Sequence, residues 1–343
     1  MDIVVFDEPL ALPIWENFVG SHPQGCNYHQ IGWKTVIERS FGHETRYLMA
    51  MAGEEVVGIL PLAILKSRLF GRSLVSLPFL NYGGILAHGV EAEEALVAAA
   101  SQLAITEGAD SVELRHWEAH GLGLVPKRHK VTMLLPLASD VESQWKQFNP
   151  KVRNQIRKAE KFGLTVMIGG QELLADFYPI FARNMRDLGT PVYGRVFFES
   201  IIDVFPLHTR IFVVKSQEVP VAAGLSTTFK GTMEVPWAGS LAEYRSLCPN
   251  MLFYWKAIQF GIQQGMHTFD FGRSTPGEGT YKFKAQWGAK AYPLVWEYWT
   301  KDGAPPPNIS PTNAKFSLAI KLWKKLPLAV ANLLGPPIVR SIP

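Results

Sequence analysis

The stretch Ile262–Phe271, IQQGMHTFDF, predicts the end of a helix, a glycine that stops it and a short strand. Residues 105–114, ITEGADSVEL, repeat that order in the first half of the chain. An apolar helix is predicted before each stretch, over residues 92–106 and 250–264. Asp270 and Glu113 therefore fall at equivalent positions of what we interpret as an internal duplication.

A predicted hairpin lies upstream in each half. Residues 45–60 form two apolar runs around a Gly53-Glu54 turn, and residues 209–225 do the same around Ser216-Gln217. Each half thus runs helices, hairpin, further strands, helix and strand, the order of an acetyltransferase-type α/β (α+β) domain with a mixed sheet. We expect such domains at 1–140 and 141–300, followed by a tail at 301–343.

Composition indicates a globular enzyme. Its 343 residues suit two domains, and the net charge of +4 is too small to indicate nucleic-acid binding by charge alone. The cysteines Cys26 and Cys248 are too far apart to suggest a disulfide framework or a zinc site. Without a signal-peptide pattern or an apolar run of about 20 residues, we expect a cytoplasmic protein. We also expect no metal and no tightly bound cofactor.

Residues 150–162 predict a helix with a concentrated basic face. Asn149 suits the N-cap, Pro150 the first helical position and Gly163 the terminating position. At 100° per residue, one face is apolar, with Val152, Ile156 and Ala159, and the other carries Arg153, Arg157, Lys158 and Lys161.

The segment most suited to chemistry is 269–288, FDFGRSTPGEGTYKFKAQWG. Asp270 lies between two aromatic residues on a predicted buried strand and needs a partner, for which Arg273 is the nearest candidate. It either anchors the following turn or positions a substrate amine. The glycines around Ser274 offer N–H groups to an anion, although an ordinary mobile loop fits them equally.

Two lysines in this segment have two interpretations. If residues 281–284 are extended, Tyr281 and Phe283 share one face, and Lys282 and Lys284 share the other. Lysines beside aromatic rings suit an anionic substrate that carries a ring or a base. A solvated edge strand explains them equally well.

His116 and His120 have the i, i+4 spacing that binds a metal on a helix. No third ligand stands at a supporting spacing, so we interpret them as ordinary surface or core histidines.

The tail has a different character. Pro305-Pro306-Pro307 marks a linker, and residues 315–334 predict a helix with Phe316, Ile320 and Trp323 opposite Lys321, Lys324 and Lys325. The helix either packs back on the protein through its apolar stripe or lies on a membrane surface.

Residues 269–274, 279–284 and 287–288 together resemble the C-terminal signature of the FemAB-like (BioF2-like) proteins, and helix 151–159 resembles that family's basic helix. The tail from Trp323 is most similar to FemAB-related proteins associated with PEP-CTERM/exosortase and exopolysaccharide gene clusters. The resemblance implies tandem acetyltransferase-like (GNAT) domains that transfer an acyl or aminoacyl group to an amine. In Fem enzymes the transfer runs from aminoacyl-tRNA to a cell-wall precursor.

The resemblance also implies site residues. Phe283 and Lys284 match the family's Phe-Lys pair near the 3′ end of the donor, which makes Lys284 the leading catalytic candidate. A fixed ammonium stabilises the oxyanion formed when an amine attacks an ester or thioester, and Asp270 is the best candidate base for that amine. The candidate substrate-binding residues are Arg153, Arg157, Lys158, Arg273, Ser274, Tyr281, Lys282, Phe283, Trp287 and Tyr82.

Three functions remain open at this stage. Residues 246–250 lack the glycine-rich pattern that holds coenzyme A pyrophosphate in ordinary acetyltransferases, which argues against acetyl-CoA as the donor. The candidate donors are aminoacyl-tRNA and an acyl-CoA or other acyl thioester. The acceptor is a small-molecule or envelope-precursor amine, with peripheral membrane contact through the C-terminal helix. A catalytically silent assembly factor for envelope polysaccharide export is the third alternative. Because no Phe-Lys segment follows Glu113, we expect one active cleft, mainly in the second copy.

Overall fold

The structure, a computed structural model, describes residues 1–6, 11–67, 71–306 and 314–342. It divides the chain into two units. The first consists of Met1–Lys130, Pro293–Ile309 and Arg340–Pro343, and the second of Val131–Tyr292 and Ser310–Val339. Pro307 of the predicted linker and the side chain of Phe316 lie outside the described residues.

The described part of the chain contains both strands and helices. Up to the end of the first copy they are β1 Asp2–Val5, α1 Leu12–Ser21, α2 Gly32–Phe41, β2 Glu44–Ala52, β3 Glu55–Ser67, β4 Gly71–Val75, β5 Leu86–Ala87, α3 Val90–Thr106, β6 Ser111–His116 and β7 Val125–Pro136. The remaining elements are α4 Val141–Gln147, α5 Pro150–Lys161, β8 Leu164–Gly169, α6 Leu174–Leu188, α7 Arg195–Val204, β9 Thr209–Ser216, β10 Val219–Phe229, β11 Thr232–Ser240, α8 Pro249–Gln263, β12 Thr268–Ser274, α9 Gly279–Ala285, β13 Lys290–Thr300, α10 Ala314–Trp323 and α11 Leu328–Val339.

The predicted fold class is confirmed, because each unit contains a mixed sheet and the two sheets have the same topology. The strand order is β1-β2-β3-β4-β6-β13 in the first unit and β8-β9-β10-β11-β12-β7 in the second. In each order the fourth and fifth strands are parallel, while the other neighbours are antiparallel. The helix that precedes the fifth strand, α3 or α8, makes the crossover that a parallel pair requires.

The last strand of each sheet comes from the other copy of the repeat. Strand β7 follows β6 in sequence but pairs with β12, and β13 follows β12 but pairs with β6. The unit boundaries therefore differ from the division at 140 and 300 that the sequence predicts. Hydrophobic alternation marks a segment as a strand but does not specify its partner, so this exchange has no local sequence signal.

Helix α5 forms as its sequence predicts. The Asn149 side chain accepts a hydrogen bond from the Val152 N–H at 3.0 Å, and Gly163 adopts a left-handed φ of 72° after the last turn. The predicted apolar face is buried against the sheet and α8, whereas Arg157 and Lys158 are exposed. The basic face of this helix is therefore available to a ligand.

The prediction of one continuous tail helix was wrong. Helices α10 and α11 are separated at Pro327, whose ring removes the backbone donor that a continuous helix needs. Ile320 packs against Gly189 after α6, and α11 also lies on α6. Within the described ranges no helix has the length and apolarity needed to cross a membrane.

Candidate active site

The sheet of the second unit opens between two parallel strands. Strands β11 and β12 pair over three residues, and the last pair places Glu234 opposite Asp270. Both strands continue beyond that pair, to Ser240 and Ser274, without further pairing to each other in the described chain. Their facing edges therefore offer backbone N–H and C=O groups to a ligand.

A bulge follows immediately on β12. The register with β7 shifts between Asp270 and Arg273, and Gly272 within the shift has a φ of 74°, which favours glycine. Asp270 is fully buried, and its Oδ1 accepts hydrogen bonds from the Gly272 N–H at 2.7 Å and the Thr132 hydroxyl at 2.6 Å. Asp270 thus anchors the bulge, as the first of its two interpretations requires.

The lysine at the centre of the site lies on a helix. Residues 279–285 form α9, so residues 281–284 are not extended. The shared face for Lys282 and Lys284 that an extended segment would give, and the edge-strand interpretation of these lysines, were therefore wrong. Lys284 is 8% exposed, and its Nζ donates to the Gly272 carbonyl at 2.9 Å and the Arg273 carbonyl at 3.0 Å. Helical geometry separates Lys282 from it by about 200° and leaves Lys282 exposed.

Burial controls the charge of this lysine. Loss of hydration lowers the pKa of Lys284 to about 8, and the nearby carboxylates of Asp270 and Glu234 oppose part of that shift. Arg273 lowers the pKa further. Lys284 is therefore mostly an ammonium at neutral pH, but it loses its proton within an accessible pH range.

Aromatic residues form one wall around α9. Trp287 is 2% exposed, and its ring centroid lies 6.2 to 6.4 Å from those of Tyr254, Phe271 and Phe283. The rings of Tyr254 and Phe283 are 5.3 Å apart. Tyr281 and Phe283 are partly buried against the same core. This packing places most of the Trp287 ring out of reach of a ligand and fixes the position of α9.

The basic helix is attached to the same region. The Asn149 Nδ2 donates to the Gln286 carbonyl at 2.8 Å, which joins the start of α5 to the end of α9. Arg157 lies over the ring of Trp145 at 5.4 Å, and Arg153 is partly buried with its Nε lacking a hydrogen-bond partner within the described chain.

The other predicted residues are distributed unevenly. Ser274 is buried at the end of β12, next to the partly exposed Arg273. Tyr82 belongs to the first unit, where its ring packs against Tyr28 and Trp117. Its assignment to substrate binding remains a prediction.

Two residues of the site were missed from the sequence. Strand register places Glu234 opposite Asp270, and it brings the Thr132 hydroxyl within hydrogen-bond distance of the Asp270 carboxylate. The only local signal was a carboxylate inside the apolar run Met233–Val235, since an acid in a buried strand needs a partner. Thr132 has no such signal.

The first copy neutralises its equivalent carboxylate differently. Glu113 occupies the third register pair of β4 and β6, as Asp270 does in β11 and β12. It accepts hydrogen bonds from Arg115 Nε at 2.7 Å and the Tyr298 hydroxyl at 2.9 Å. A permanent guanidinium thus pairs with Glu113, whereas the cation near Asp270 in the second copy is Lys284.

The histidine pair is not on a helix. His116 ends β6 and His120 lies in the following loop, with ring centroids 4.1 Å apart. In the described part of the chain, no group of three His, Cys, Asp or Glu side chains is arranged to hold a metal ion.

Comparison with known families identifies the class of domain that this site belongs to. Residues 146–285, which include α5, β11, β12 and α9, match the model of the acetyltransferase (GNAT) domain. The chain therefore contains a GNAT-type acetyltransferase domain, a class that uses acyl-CoA.

Solved structures extend the similarity over both units. FemX matches with a TM-score of 0.67 and 17% identity, over 87% of this chain and 97% of that one. A tandem GNAT protein from the clavulanic acid biosynthesis pathway has a TM-score of 0.57 and 12% identity, over 89% and 99%. L-PGS from Bacillus licheniformis has a TM-score of 0.52 and 12% identity, over 86% and 96%. At such identities the similarity is one of fold. A search of curated protein sequences found no significant match.

Proposed function

We propose that the protein is an acyl- or aminoacyltransferase that forms an amide on an amine acceptor. The acceptor belongs to the cell envelope or to an exopolysaccharide-related substrate, as the sequence resemblance of the tail suggests. The observation that carries the proposal is Lys284, a buried ammonium held by two backbone carbonyls at the bulge beside the opening between β11 and β12.

The chemistry follows from that position. The acceptor amine attacks the carbonyl carbon of an ester or thioester, a C–N bond forms and the carbonyl oxygen becomes an oxyanion. Two N–H groups of Lys284 bond to carbonyls, which leaves the third to donate to that oxyanion. Collapse of the intermediate breaks the C–O or C–S bond, and the proton lost by the amine is returned to the leaving alkoxide or thiolate.

Asp270 acts through Lys284 in this proposal. Asp270 is buried and accepts a hydrogen bond from the Gly272 N–H, so it shapes the bulge. Its charge raises the pKa of Lys284 and thereby helps to keep the ammonium protonated. We therefore assign Asp270 a positioning role, which differs from the role of general base in the pH dependence that it predicts.

Aminoacyl-tRNA is the donor that the surface charge favours. Arg157, Lys158 and Lys161 are exposed on α5, and α5 begins beside the end of α9. The start of α8, in contrast, is a poor site for a pyrophosphate. Pro249 has no N–H, and the Met251 N–H already bonds to the Cys248 carbonyl at 3.0 Å.

Charged tRNA is expected to bind more weakly as salt rises. Total aminoacylated tRNA should lose at least about tenfold in affinity between roughly 50 and 200 mM salt, because phosphate contacts release counterions. The variant R157A/K158A/K161A should bind less tightly and reduce the salt slope by about 2 to 3. Electrophoretic mobility shifts over a salt series measure both quantities.

The matched control is K321A/K324A/K325A, which removes the same charge from the exposed lysines of the tail. It should leave tRNA affinity within about twofold. Equal losses in the two triple variants, or thermal stabilisation by acetyl-CoA that is insensitive to salt, would instead favour the acyl-CoA donor.

The tail has the surface expected for contact with an anionic membrane. Leu318 of α10 and Leu333 of α11 are 65% and 74% exposed, and Lys321, Lys324 and Lys325 of the same tail are also exposed. The sequence after Asp302 contains no Asp or Glu. Exposed leucines among lysines, without acidic residues, match an interfacial surface, and they extend the proposal to an acceptor near a membrane.

Vesicles test this contact. The protein should co-sediment with vesicles of equal parts phosphatidylglycerol and phosphatidylcholine, and not with phosphatidylcholine alone. K321A/K324A/K325A should weaken binding by at least about tenfold, since each lysine near an anionic surface contributes about 1 kcal/mol. R157A/K158A/K161A is the control of equal charge. Equal binding to both vesicle types, or to neither, would contradict a membrane contact.

A further inference from the structure

The first unit contains a cavity of about 320 Å³. Its lining comes from three segments, which are residues 23–29, the glycine turn 83–86 and residues 115–120 at the end of β6. The lining shares no residue with the Lys284 site.

His116 leaves one ring nitrogen of this lining unsatisfied. Its Nδ1 lies 2.8 Å from Oε2 of Glu297, a residue of β13 that is 2% exposed. The same carboxylate oxygen accepts a hydrogen bond from the backbone N–H of His120 at 3.1 Å. The Nε2 of His116 is buried and has no hydrogen-bond partner among the described residues. A buried polar atom without a partner is costly, and His116 is part of the cavity lining, so a ligand that reaches Nε2 from the cavity would satisfy it.

The protonation of His116 defines what that ligand must supply. Burial lowers its pKa to about 4, although the hydrogen bond to Glu297 opposes the shift. The ring is therefore neutral at pH 7. With a carboxylate beside Nδ1, we assign the proton to Nδ1, and Nε2 presents a lone pair. The ligand must then carry a hydrogen-bond donor.

Gly84 makes room for this arrangement. A Cβ at that position would lie 2.0 Å from Cδ2 and 2.6 Å from Nε2 of His116, so a side chain there would displace the ring. Both residues line the cavity. The ring is thus held between Glu297 on one side and a glycine on the other.

The charges around the cavity favour a cation. Glu118 is in the lining, Glu297 contacts His116, and Glu93 lies 2.9 Å from His120 Nδ1. The guanidinium of Arg115, also in the lining, is already bonded to Glu113. Carboxylates therefore outnumber guanidinium groups. Burial lowers the pKa of His29, another histidine of the lining, to about 3, so that His29 adds no charge.

We propose that the cavity of the first unit is a binding site for a primary amine in its ammonium form, with His116 Nε2 accepting one of the amine N–H groups and Glu297 orienting the imidazole. An ammonium supplies the donor that Nε2 lacks and the positive charge that the carboxylates attract. A neutral polyol of the same size supplies only the donor.

Ethanolamine and ethylene glycol, which have nearly the same size, separate these two requirements. In protein labelled with 15N-histidine at pH 7, ethanolamine should shift the His116 Nε2 resonance and raise the melting temperature at millimolar concentration. Ethylene glycol should do neither. Equal responses to the two compounds, or no response to ethanolamine, would overturn the proposal.

Glu297→Gln provides the variant test, because the amide removes the charge and can donate to Nδ1, which moves the imidazole proton to Nε2. Ethanolamine affinity should fall at least about tenfold. Glu94→Gln, which removes an exposed carboxylate from α3 outside the lining, is the control and should bind as the wild type does. Unchanged ethanolamine binding by a folded E297Q protein would contradict the role of the His116–Glu297 pair. Because wild-type protein alone distinguishes the two compounds, the test does not depend on E297Q being stable.

Discussion

Lys284→Met should lower kcat/KM by about 100- to 1,000-fold, the effect of removing one donor to a developing oxyanion. Methionine keeps the length and the apolar stem of the side chain, so α9 should stay packed. The loss then reflects the missing ammonium and its contacts with the two bulge carbonyls. The measurement is the rate of amide formation with the donor identified by the tRNA-binding and acetyl-CoA experiments.

The matched control is Lys282→Met, two residues away on the same helix. Lys282 is exposed, so its replacement removes an equal charge from α9 without touching the bulge. Its kcat/KM should stay within about twofold of wild type. If both variants retain full activity while folded, Lys284 has no catalytic role. Absence of amide formation by the wild-type protein with every donor tested would instead favour the catalytically silent assembly factor.

The pH profile gives an independent readout of the same residue. Because the pKa of Lys284 is lowered to about 8, the ammonium is present below that pH and is lost above it. An oxyanion-stabilising ammonium therefore makes the rate fall as pH rises through about 8. In Lys284→Arg, which keeps its charge, this fall should disappear even if the maximum rate is lower. A rate that rises through pH 8 would indicate a neutral amine acting as a base.

Asp270→Asn should lower kcat by about 10- to 100-fold near pH 7.5. It should also move the high-pH limb of the rate–pH profile, the fall in rate near pH 8, to lower pH. Asp270 raises the pKa of Lys284 in the folded protein, so removing its charge lets that pKa fall further below 8. Asparagine keeps the shape of the side chain but weakens the hydrogen bonds from Gly272 and Thr132. The free energy of unfolding should fall by about 1 to 3 kcal/mol.

Two measurements separate the roles available to Asp270. A positioning residue predicts the shifted limb, with activity partly recovered at lower pH, whereas a general base predicts a loss at every pH with no shift. Glu278→Gln, an exposed carboxylate just before α9, is the control and should change neither the profile nor the stability. An unshifted limb in a folded D270N protein would rule out the action through Lys284.

Much of the site segment was predictable from local sequence, but its geometry was not. The carboxylate at 270 and the lysine at 284 were identified from residue type and motif, and the helix at 150 from its cap and its apolar spacing. The four residues Tyr281–Lys284 alternate like a strand, yet α9 forms because Trp287 and Phe283 pack into the core beside Tyr254. Four residues are too few for periodicity to distinguish a strand from a helical turn.

By itself, the sequence determined the duplication and most of the elements outside α9 and the tail, because glycine stops, caps and hydrophobic spacing act within a few residues of one another. The tertiary structure decided which strands pair. It exchanged β7 and β13 between the copies, placed Glu234 opposite Asp270, and joined His116 to Glu297 across 181 residues. It also buried Lys284 and thereby lowered its pKa. These outcomes depend on register and desolvation, which arise when distant segments pack together, and no local pattern of residues encodes them.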